Sequence, residues 1–164
     1  YKGAIEDYSK AIELKPDSAN AYYNRGIAKD ELKDYKGAIE DYSKAIELKP
    51  DSEDAYYNRG LSKYNLKDYD GAINDYSKAI KLEPDDAIAY SNRGIAKDEL
   101  KDYYGAIEDY SKAIELDPDY ADAYYYRGLS KIILGDLNDA CNDWRKAASL
   151  GDEDASQWVR DQCN

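Results

Sequence analysis

Asparagine and tyrosine recur at a fixed spacing in this sequence, and both side chains can hydrogen-bond a peptide main chain. The asparagine row consists of Asn24, Asn58 and Asn92, each 34 residues after the last, with Tyr126 at the fourth step. The tyrosine row, one residue earlier, consists of Tyr23, Tyr57 and Tyr125, with Ser91 at its third step. A carboxamide both donates and accepts hydrogen bonds, so such a row can pair with backbone amides whatever the side chains of the ligand. The pattern indicates recognition chemistry, although asparagine is also common at such positions for structural reasons.

Arginine and aspartate recur with the same step and could form ion pairs. The arginines are Arg25, Arg59, Arg93 and Arg127. The aspartates are Asp7, Asp41, Asp75, Asp109 and Asp143. If the chain folds into paired helices, both rows face the gap between neighbouring helices, and we expect a ladder of structural Arg–Asp pairs. Desolvation of the charges offsets their attraction, so such pairs fix geometry more than they add stability.

The residue types that most enzymes need are missing or misplaced. The sequence has no His, no glycine-rich phosphate loop and no nucleophile–base pair, and its carboxylates are expected on solvated helix faces. We therefore expect no enzymatic activity, no cofactor and no metal site. The two cysteines, Cys141 and Cys163, lack the spacing of metal ligands, and we also expect no disulfide framework, which fits a reducing, cytoplasmic environment. The localisation stays unassigned, because Tyr1 is not a natural first residue and we expect the N-terminus to be truncated.

The charge and the hydropathy argue against two classes of partner. The formal net charge is −12, whereas binding to nucleic-acid phosphates requires a surplus of Lys and Arg. No apolar run reaches the roughly 18 residues that a membrane span needs. We expect neither nucleic acid nor a membrane as partner. The acidic excess fits either a solvated surface or a basic protein partner.

The 34-residue step extends along nearly the whole chain and carries a helical pattern. The string Gly-Ala-Ile-x-Asp-Tyr-Ser-Lys-Ala-Ile begins at Gly3, Gly37, Gly71 and Gly105. Within one copy, Ala38, Tyr42 and Ala45 lie on one face of a helix. Asp34 precedes that helix where an N-cap belongs, and Pro50 follows its end. A second apolar pattern precedes each copy, so each unit is predicted to be a helix–turn–helix.

Six positions of one unit have the spacing of the tetratricopeptide repeat (TPR) signature, and this sequence resembles that family over nearly its whole length. They are Tyr22, Gly26, Ala38, Tyr42, Ala45 and Pro50. The resemblance implies an all-α fold, a right-handed α-solenoid (superhelix) of antiparallel helix pairs. The sequence departs from the family pattern at the arginine row, where leucine is usual. We expect Gly26 and its equivalents to let the first helix approach the second closely, at the small side chain of Ala38.

The register of the repeats predicts six segments. They are a half repeat with only a second helix over residues 1–18, TPR 1 over 19–52, TPR 2 over 53–86, TPR 3 over 87–120, TPR 4 over 121–154, and a C-terminal capping helix over 155–164. The half repeat leaves one side of its apolar face uncovered, which favours self-association into a homo-oligomer. The residues of that face are Ala4, Ile5, Tyr8 and Ile12. Near the other end, the run from Ile132 to Leu134 is either a seat for the cap or a hydrophobic contact for a ligand.

In the TPR family the first helix of each repeat lines a concave groove, and the resemblance implies a peptide-binding site there. The matching residues are Tyr23, Asn24, Ile27, Tyr57, Asn58, Leu61, Tyr64, Asn92, Ile95, Tyr125, Tyr126 and Leu129. The asparagine row resembles the asparagine ladder in the TPR region of O-GlcNAc transferases, which grips a peptide main chain. A set of carboxylates is expected to rim the groove and to favour a basic ligand. These are Asp30, Glu31, Asp54, Asp98, Glu99 and Asp122.

The sequence therefore predicts a non-enzymatic module that binds an extended, basic polypeptide in a groove of tyrosine and asparagine. Two alternatives stay open: a structural assembly unit that self-associates through its N-terminal helix, and an adaptor region of a larger enzyme. The family's clamp for chaperone C-termini needs Lys and Asn where this chain has Tyr23 and Ile27. A co-chaperone role is therefore not predicted.

Overall fold

A computed structural model describes residues 1–163, which fold into α-helices without a β-strand, so the expected all-α class is confirmed for this part of the chain. The helices are α1 (Lys2–Leu14), α2 (Ala19–Asp30), α3 (Tyr35–Leu48), α4 (Glu53–Asn65), α5 (Tyr69–Leu82), α6 (Ala87–Glu99), α7 (Tyr103–Leu116), α8 (Ala121–Ile133), α9 (Leu137–Ser149) and α10 (Glu153–Gln162). They belong to two compact units. Unit 1, Tyr1–Pro84, holds α1 to α5, and unit 2, from Asp85 onward, holds α6 to α10.

An aspartate begins the second helix of each pair. The carboxylates of Asp34, Asp68 and Asp102 each accept a hydrogen bond at 3.1 Å from the backbone N–H three residues later. Such a cap satisfies one of the free N–H groups of the first helical turn. The residue before each aspartate has a positive φ, which reverses the chain between the two helices. These residues are Lys33, Lys67 and Lys101, with φ of 61°, 63° and 64°, and Gly135, with φ of 90°, before the fourth capping aspartate, Asp136.

The glycine row lets the first helix approach the second closely, and the group that it accommodates there is an aromatic ring. A Cβ atom on Gly26 would lie 2.7 Å from Cε1 of Tyr42, closer than two carbon atoms pack. Tyr42 is 1% exposed, so its ring cannot easily move aside. In unit 2 the ring opposite Gly128 is the indole of Trp144. The glycines are therefore required by the large side chain opposite them, which the sequence pattern alone did not identify.

The N-terminal helix α1 differs from the other second helices because none of its residues is fully buried. The residues predicted to self-associate, Ala4, Ile5, Tyr8 and Ile12, are all half-buried. Their counterparts in α3 include Ala38, Tyr42 and Ile46, which are at most 9% exposed. One side of the apolar face of α1 is therefore in contact with solvent.

At the other end, α10 packs on α9 through a tryptophan pair. The rings of Trp144 and Trp158 stack with centroids 4.8 Å apart. Ile132 contacts the cluster around Trp144, but Ile133 and Leu134 are 58% and 38% exposed. Only the first residue of that apolar run therefore contacts the cluster beneath the cap. The predicted capping segment ended at residue 164, which lies outside the described residues.

A disulfide joins Cys141 of α9 to Cys163, directly after α10, with Cα atoms 5.6 Å apart. The expectation of no disulfide was wrong. The two cysteines are 22 positions apart in sequence, and only the return of α10 across α9 brings them together. Within residues 1–163, no helix is long and apolar enough to span a bilayer.

Candidate functional site

Each buried aspartate of the second helices is bound by an arginine from the first helix of the same pair. The Nη2–Oδ1 distances are 2.7 Å for Arg25–Asp41, Arg59–Asp75 and Arg93–Asp109, and 2.6 Å for Arg127–Asp143. The arginine Nε donates to the other carboxylate oxygen in every pair, which gives the bidentate geometry of a strong ion pair. Asp7 has the same position in α1, but it is exposed and has no such partner in the part of the chain that the structure describes.

A second cation and a serine complete the clusters, and the sequence analysis missed both. The lysines Lys29, Lys63, Lys97 and Lys131 place Nζ 2.7 or 2.8 Å from the same carboxylates. In unit 1, Arg25 Nη1 donates to Ser9 Oγ at 3.1 Å, and Arg59 Nη1 donates to Ser43 Oγ at 3.0 Å. Each lysine follows its arginine by four residues, one helical turn, so its recurrence was a visible signal. Because the serine lies on the preceding helix, each of these clusters joins three helices.

These clusters hold the helices together through ion pairs and a contact between each arginine and a tyrosine ring. The guanidinium carbon of Arg25 lies 5.5 Å from the ring centroid of Tyr22, and the contact recurs in each pair. The hydrogen bond to Asp41 raises the pKa of Arg25. Asp41 is 3% exposed and both of its oxygens bind cations. Both carboxylate oxygens of Asp41 are therefore occupied by structural ion pairs.

The first helices of unit 1 share one surface, the α2–α4 surface, which carries seven of the predicted peptide-binding residues. They are Tyr23, Asn24, Ile27, Tyr57, Asn58, Leu61 and Tyr64, all half-buried. Asn58 Nδ2 donates a hydrogen bond to the hydroxyl oxygen of Tyr23 at 2.9 Å. The asparagine and tyrosine rows therefore contact each other here. Among the described residues, Asn58 Oδ1 and the hydroxyl proton of Tyr23 have no further partner.

A small surface cleft of ≈130 Å³ lies beside Tyr23. Its lining includes Asn20, Lys49, Ser52 and Asp54. Burial is the main cause that raises the pKa of the Tyr23 hydroxyl, and the negative charge of Asp54 adds to it. The cleft thus places the carboxylate of Asp54 and the ammonium group of Lys49 near this hydroxyl.

Asp30 does not act as a free rim carboxylate, because it links the two repeats of unit 1. Ser62 Oγ donates to Asp30 Oδ1 at 2.9 Å, and Ser62 is fully buried. Burial raises the pKa of Asp30, and the hydrogen bond from Ser62 partly opposes that increase. Of the carboxylates predicted at the rim in unit 1, Glu31 and Asp54 are exposed.

The first helices of unit 2 share the α6–α8 surface, which is more aromatic. Its predicted binding residues are Asn92, Ile95, Tyr125, Tyr126 and Leu129, all half-buried. Ser91 is fully buried and so does not belong to this surface. Tyr126 replaces asparagine and stacks on Tyr110, with ring centroids 6.0 Å apart and an interplanar angle of 19°.

Asp98 repeats the role of Asp30 in unit 2 with more partners. Tyr110 donates its hydroxyl proton to Asp98 Oδ2 at 2.7 Å, and Ser130 Oγ lies 2.9 Å from both carboxylate oxygens. Burial is the largest effect on Asp98 and raises its pKa, although both hydrogen bonds lower it. The rim residues Glu99 and Asp122 are exposed.

The two surfaces can offer hydrogen bonds, aromatic contacts and negative charge to a ligand. Nothing in residues 1–163 gathers three or more potential metal ligands.

Family models match the chain along most of its length. A TPR repeat model matches residues 1–29 and 31–67, a tetratricopeptide repeat model matches 53–86 and 87–120, and another tetratricopeptide repeat model matches 110–142. No curated protein sequence matches the chain.

Several solved structures of MamA are similar to this chain. A crystal structure of MamA is 28% identical, covers 94% of this chain and 91% of its own, and superposes with a TM-score of 0.90. A MamA RS-1 double mutant is 26% identical over 95% of this chain and 86% of its own, with a TM-score of 0.88. MamA from Desulfovibrio magneticus RS-1, residue 41 to the end, is 26% identical, covers 91% of this chain and 84% of its own, and has a TM-score of 0.87.

The repeat models and the similar structures agree with the paired helices and with the recurring Gly, Tyr and Ala positions. A stack of such pairs is typically non-enzymatic and serves as a scaffold for protein interaction. The chain belongs to the tetratricopeptide repeat family.

Proposed function

We propose that this chain is a non-enzymatic module that binds an extended, basic polypeptide segment, with the α2–α4 surface as its main contact. The observation that carries the proposal is the hydrogen bond from Asn58 to Tyr23. It fixes the carboxamide so that Oδ1 can accept from a ligand N–H, while the Tyr23 hydroxyl can donate to a ligand carbonyl. This pair of groups matches the donor and acceptor of one peptide unit.

The charge around this pair supports a basic ligand. Asp54 is exposed on α4 and Glu31 is exposed directly after α2, and the charge of Asp54 contributes to the raised pKa of Tyr23. With a net charge of −12, the chain attracts a cationic segment and repels an acidic one at long range. The aliphatic side chains of Ile27 and Leu61 add apolar contact area to the same surface.

The test is a calorimetric titration with an unstructured peptide of about ten residues that alternates Lys or Arg with small residues. We expect Asn58→Ala to weaken binding about five- to tenfold, the equivalent of one lost hydrogen bond. Asn74→Ala is the matched control, because Asn74 is exposed on α5, outside this surface. Equal affinities of wild type and Asn58→Ala would contradict the proposal, as would equal binding of an acidic peptide of the same length.

A second candidate is self-association through α1, which the half-buried apolar residues of that helix favour. Sedimentation velocity over a range of concentrations tests it. We expect wild type to associate and Ile5→Glu to stay monomeric. Ile88→Glu changes an exposed isoleucine in unit 2 and should leave the association intact. A wild-type chain that is monomeric at all concentrations would exclude this candidate.

A further inference from the structure

The disulfide between Cys141 and Cys163 borders a surface cleft. The cleft has a volume of ≈230 Å³, and both cysteines line it together with Asn138, Asn142 and Arg145. Cys163 is half-buried, whereas Cys141 is 4% exposed. Cys163 is therefore the more accessible of the two cysteines to a thiol that enters this cleft.

The charge of the cleft selects the kind of thiol. Arg145 is the charged residue of its lining, in a chain whose net charge is −12. Its Nη2 donates to the backbone carbonyl of Cys163 at 2.8 Å, which holds the guanidinium beside the disulfide. Arg145 also follows Cys141 by four residues on α9, so both side chains lie on the same side of that helix. A cation placed there attracts an anionic thiol and stabilises a thiolate that leaves from Cys141.

We propose that the Cys141–Cys163 disulfide is a thiol-exchange site for an anionic low-molecular-weight thiol, and that its opening releases α10 from α9. The incoming thiolate attacks the Sγ atom of Cys163, the S–S bond breaks, and Cys141 leaves as a thiolate that takes a proton from water. A second thiolate then attacks the external sulfur of the mixed disulfide and frees the Cys163 thiolate, which is protonated in turn. The net reaction oxidises two thiols to one disulfide, and the protein disulfide gains two electrons and two protons.

The release of α10 follows from its short length and from its position at the end of the helix array, where it packs on α9. The helix has ten residues, too short to be stable alone in water. Besides the disulfide, it is held by the stack of Trp158 on Trp144, by Ala155 and Val159 in the cluster around Trp144, and by the hydrogen bond from Arg145. Loss of the covalent link increases the conformational freedom of the detached helix and so favours detachment. Detachment uncovers the apolar side of α9 around Trp144, a surface that the oxidised protein does not present.

The experiment follows two signals during incubation of the full chain with millimolar glutathione. Intact mass spectrometry under non-reducing conditions should first show a disulfide and then one glutathione adduct, and peptide mapping should place the adduct on Cys163. Tryptophan emission should shift to longer wavelength in parallel, because both tryptophans of the chain form the α9–α10 contact. Trp158→Phe leaves Trp144 as the single fluorophore and should keep a shift, because Trp144 is 0% exposed and detachment of α10 uncovers it.

Selectivity is tested by comparing glutathione with cysteamine, a cationic thiol, at equal thiolate concentration. We expect glutathione to react faster, and Arg145→Gln to reduce that preference about three- to tenfold, as for a charge that steers a ligand. Arg160→Gln is the control, since Arg160 is an exposed arginine of α10 outside the cleft. Exchange only after denaturation, an adduct on Cys141, or complete reduction without a change in tryptophan emission would each overturn the proposal. So would free thiols in the protein purified without reductant.

Discussion

Units 1 and 2 share a hydrogen bond between neighbouring repeats that recurs every two TPRs rather than in every one. Ser62 donates to Asp30 in unit 1, and 68 residues later Ser130 donates to Asp98 in unit 2. One repeat after Asp30 the chain has Tyr64, and one repeat after Ser62 it has Ala96. The serine–aspartate link therefore recurs only in alternate repeats, and each compact unit contains one such link.

The two units differ on the surfaces of their first helices. In unit 1, Tyr23 contacts the buried ring of Tyr42 with centroids 5.9 Å apart. In unit 2, a serine stands at the equivalent position, and Tyr126 from the next helix contacts Tyr110 instead. An aromatic neighbour of the buried tyrosine is thus kept, but a different helix supplies it. The comparison shows that packing restricts which residue types fit at the buried positions. The surface residues are less restricted and change from asparagine in unit 1 to tyrosine in unit 2.

The largest effect is expected where the units agree most closely, at the buried aspartates. Asp75→Ala removes a carboxylate whose side chain is 1% exposed and leaves Arg59 and Lys63 without their partner. Such a loss costs about 3–5 kcal/mol of unfolding free energy, measured by urea denaturation. Asp143→Ala in unit 2 should cost slightly less, because the Asp143 side chain is 7% exposed.

Asp7→Ala is the matched control for this prediction, since Asp7 has the same repeat position and is exposed. We expect a change within about 0.5 kcal/mol. Equal costs for Asp7→Ala and Asp75→Ala would mean that the arginine–aspartate–lysine clusters contribute nothing.

The next largest loss of stability is expected from Gly→Ala substitutions opposite a buried aromatic ring, which is Tyr76 in unit 1 and Trp144 in the last repeat of unit 2. Gly60→Ala would place a Cβ 2.8 Å from Cε1 of Tyr76, whereas Gly128→Ala meets the larger indole of Trp144. We expect a loss of about 1–3 kcal/mol for overpacking, larger for Gly128→Ala because an indole has less room to move. In α1, a Cβ atom on Gly3 would have no neighbour within 4 Å, so Gly3→Ala should be neutral or stabilising. A cost at Gly3 as large as at Gly60 would point to backbone effects instead.

The sequence was informative wherever one repeat unit decides the structure. The spacing of Arg25 and Asp41 was enough to expect them at one helix interface, because a helical period of 3.6 residues fixes which side chains share a face. The repeat pattern did not identify Tyr42 as the neighbour of Gly26. A glycine opposite a small alanine is as consistent with the pattern as a glycine opposite a tyrosine ring. The cysteine pairing was unpredictable for another reason. It depends on the return of α10 over α9, which no repeat position specifies.

A smaller effect on stability is expected from the two carboxylates that link neighbouring repeats, Asp98 and Asp30, and it depends on pH. Burial raises the folded-state pKa of Asp98 above the ordinary value of 3.8, so the folded protein holds this proton to a higher pH than the unfolded chain does. Asp98 therefore contributes stability below about pH 3.8 and loses that contribution as the pH rises through the raised pKa. Asp98→Asn should remove this part of the pH dependence in thermal melts between pH 4 and 7. Asp30→Asn in unit 1 should act in the same direction, and an unchanged profile in both variants would exclude this role of the carboxylates.

The smallest effect concerns the turn between paired helices. In unit 2 this turn needs a residue with positive φ, and the position is a lysine in one repeat and a glycine in the next. Lys101 has a φ of 64° and Gly135, one repeat later, a φ of 90°. A side chain is strained in this region and glycine is not, so Lys101→Gly should raise the unfolding free energy by about 0.5–1 kcal/mol. Gly135→Ala should lower it by a similar amount. Both are measured by urea denaturation, with the exposed Lys78→Gly within α5 as the control that should destabilise. If Lys101→Gly destabilised the protein as Lys78→Gly does, the entropy of the unfolded chain would outweigh the strain of the turn.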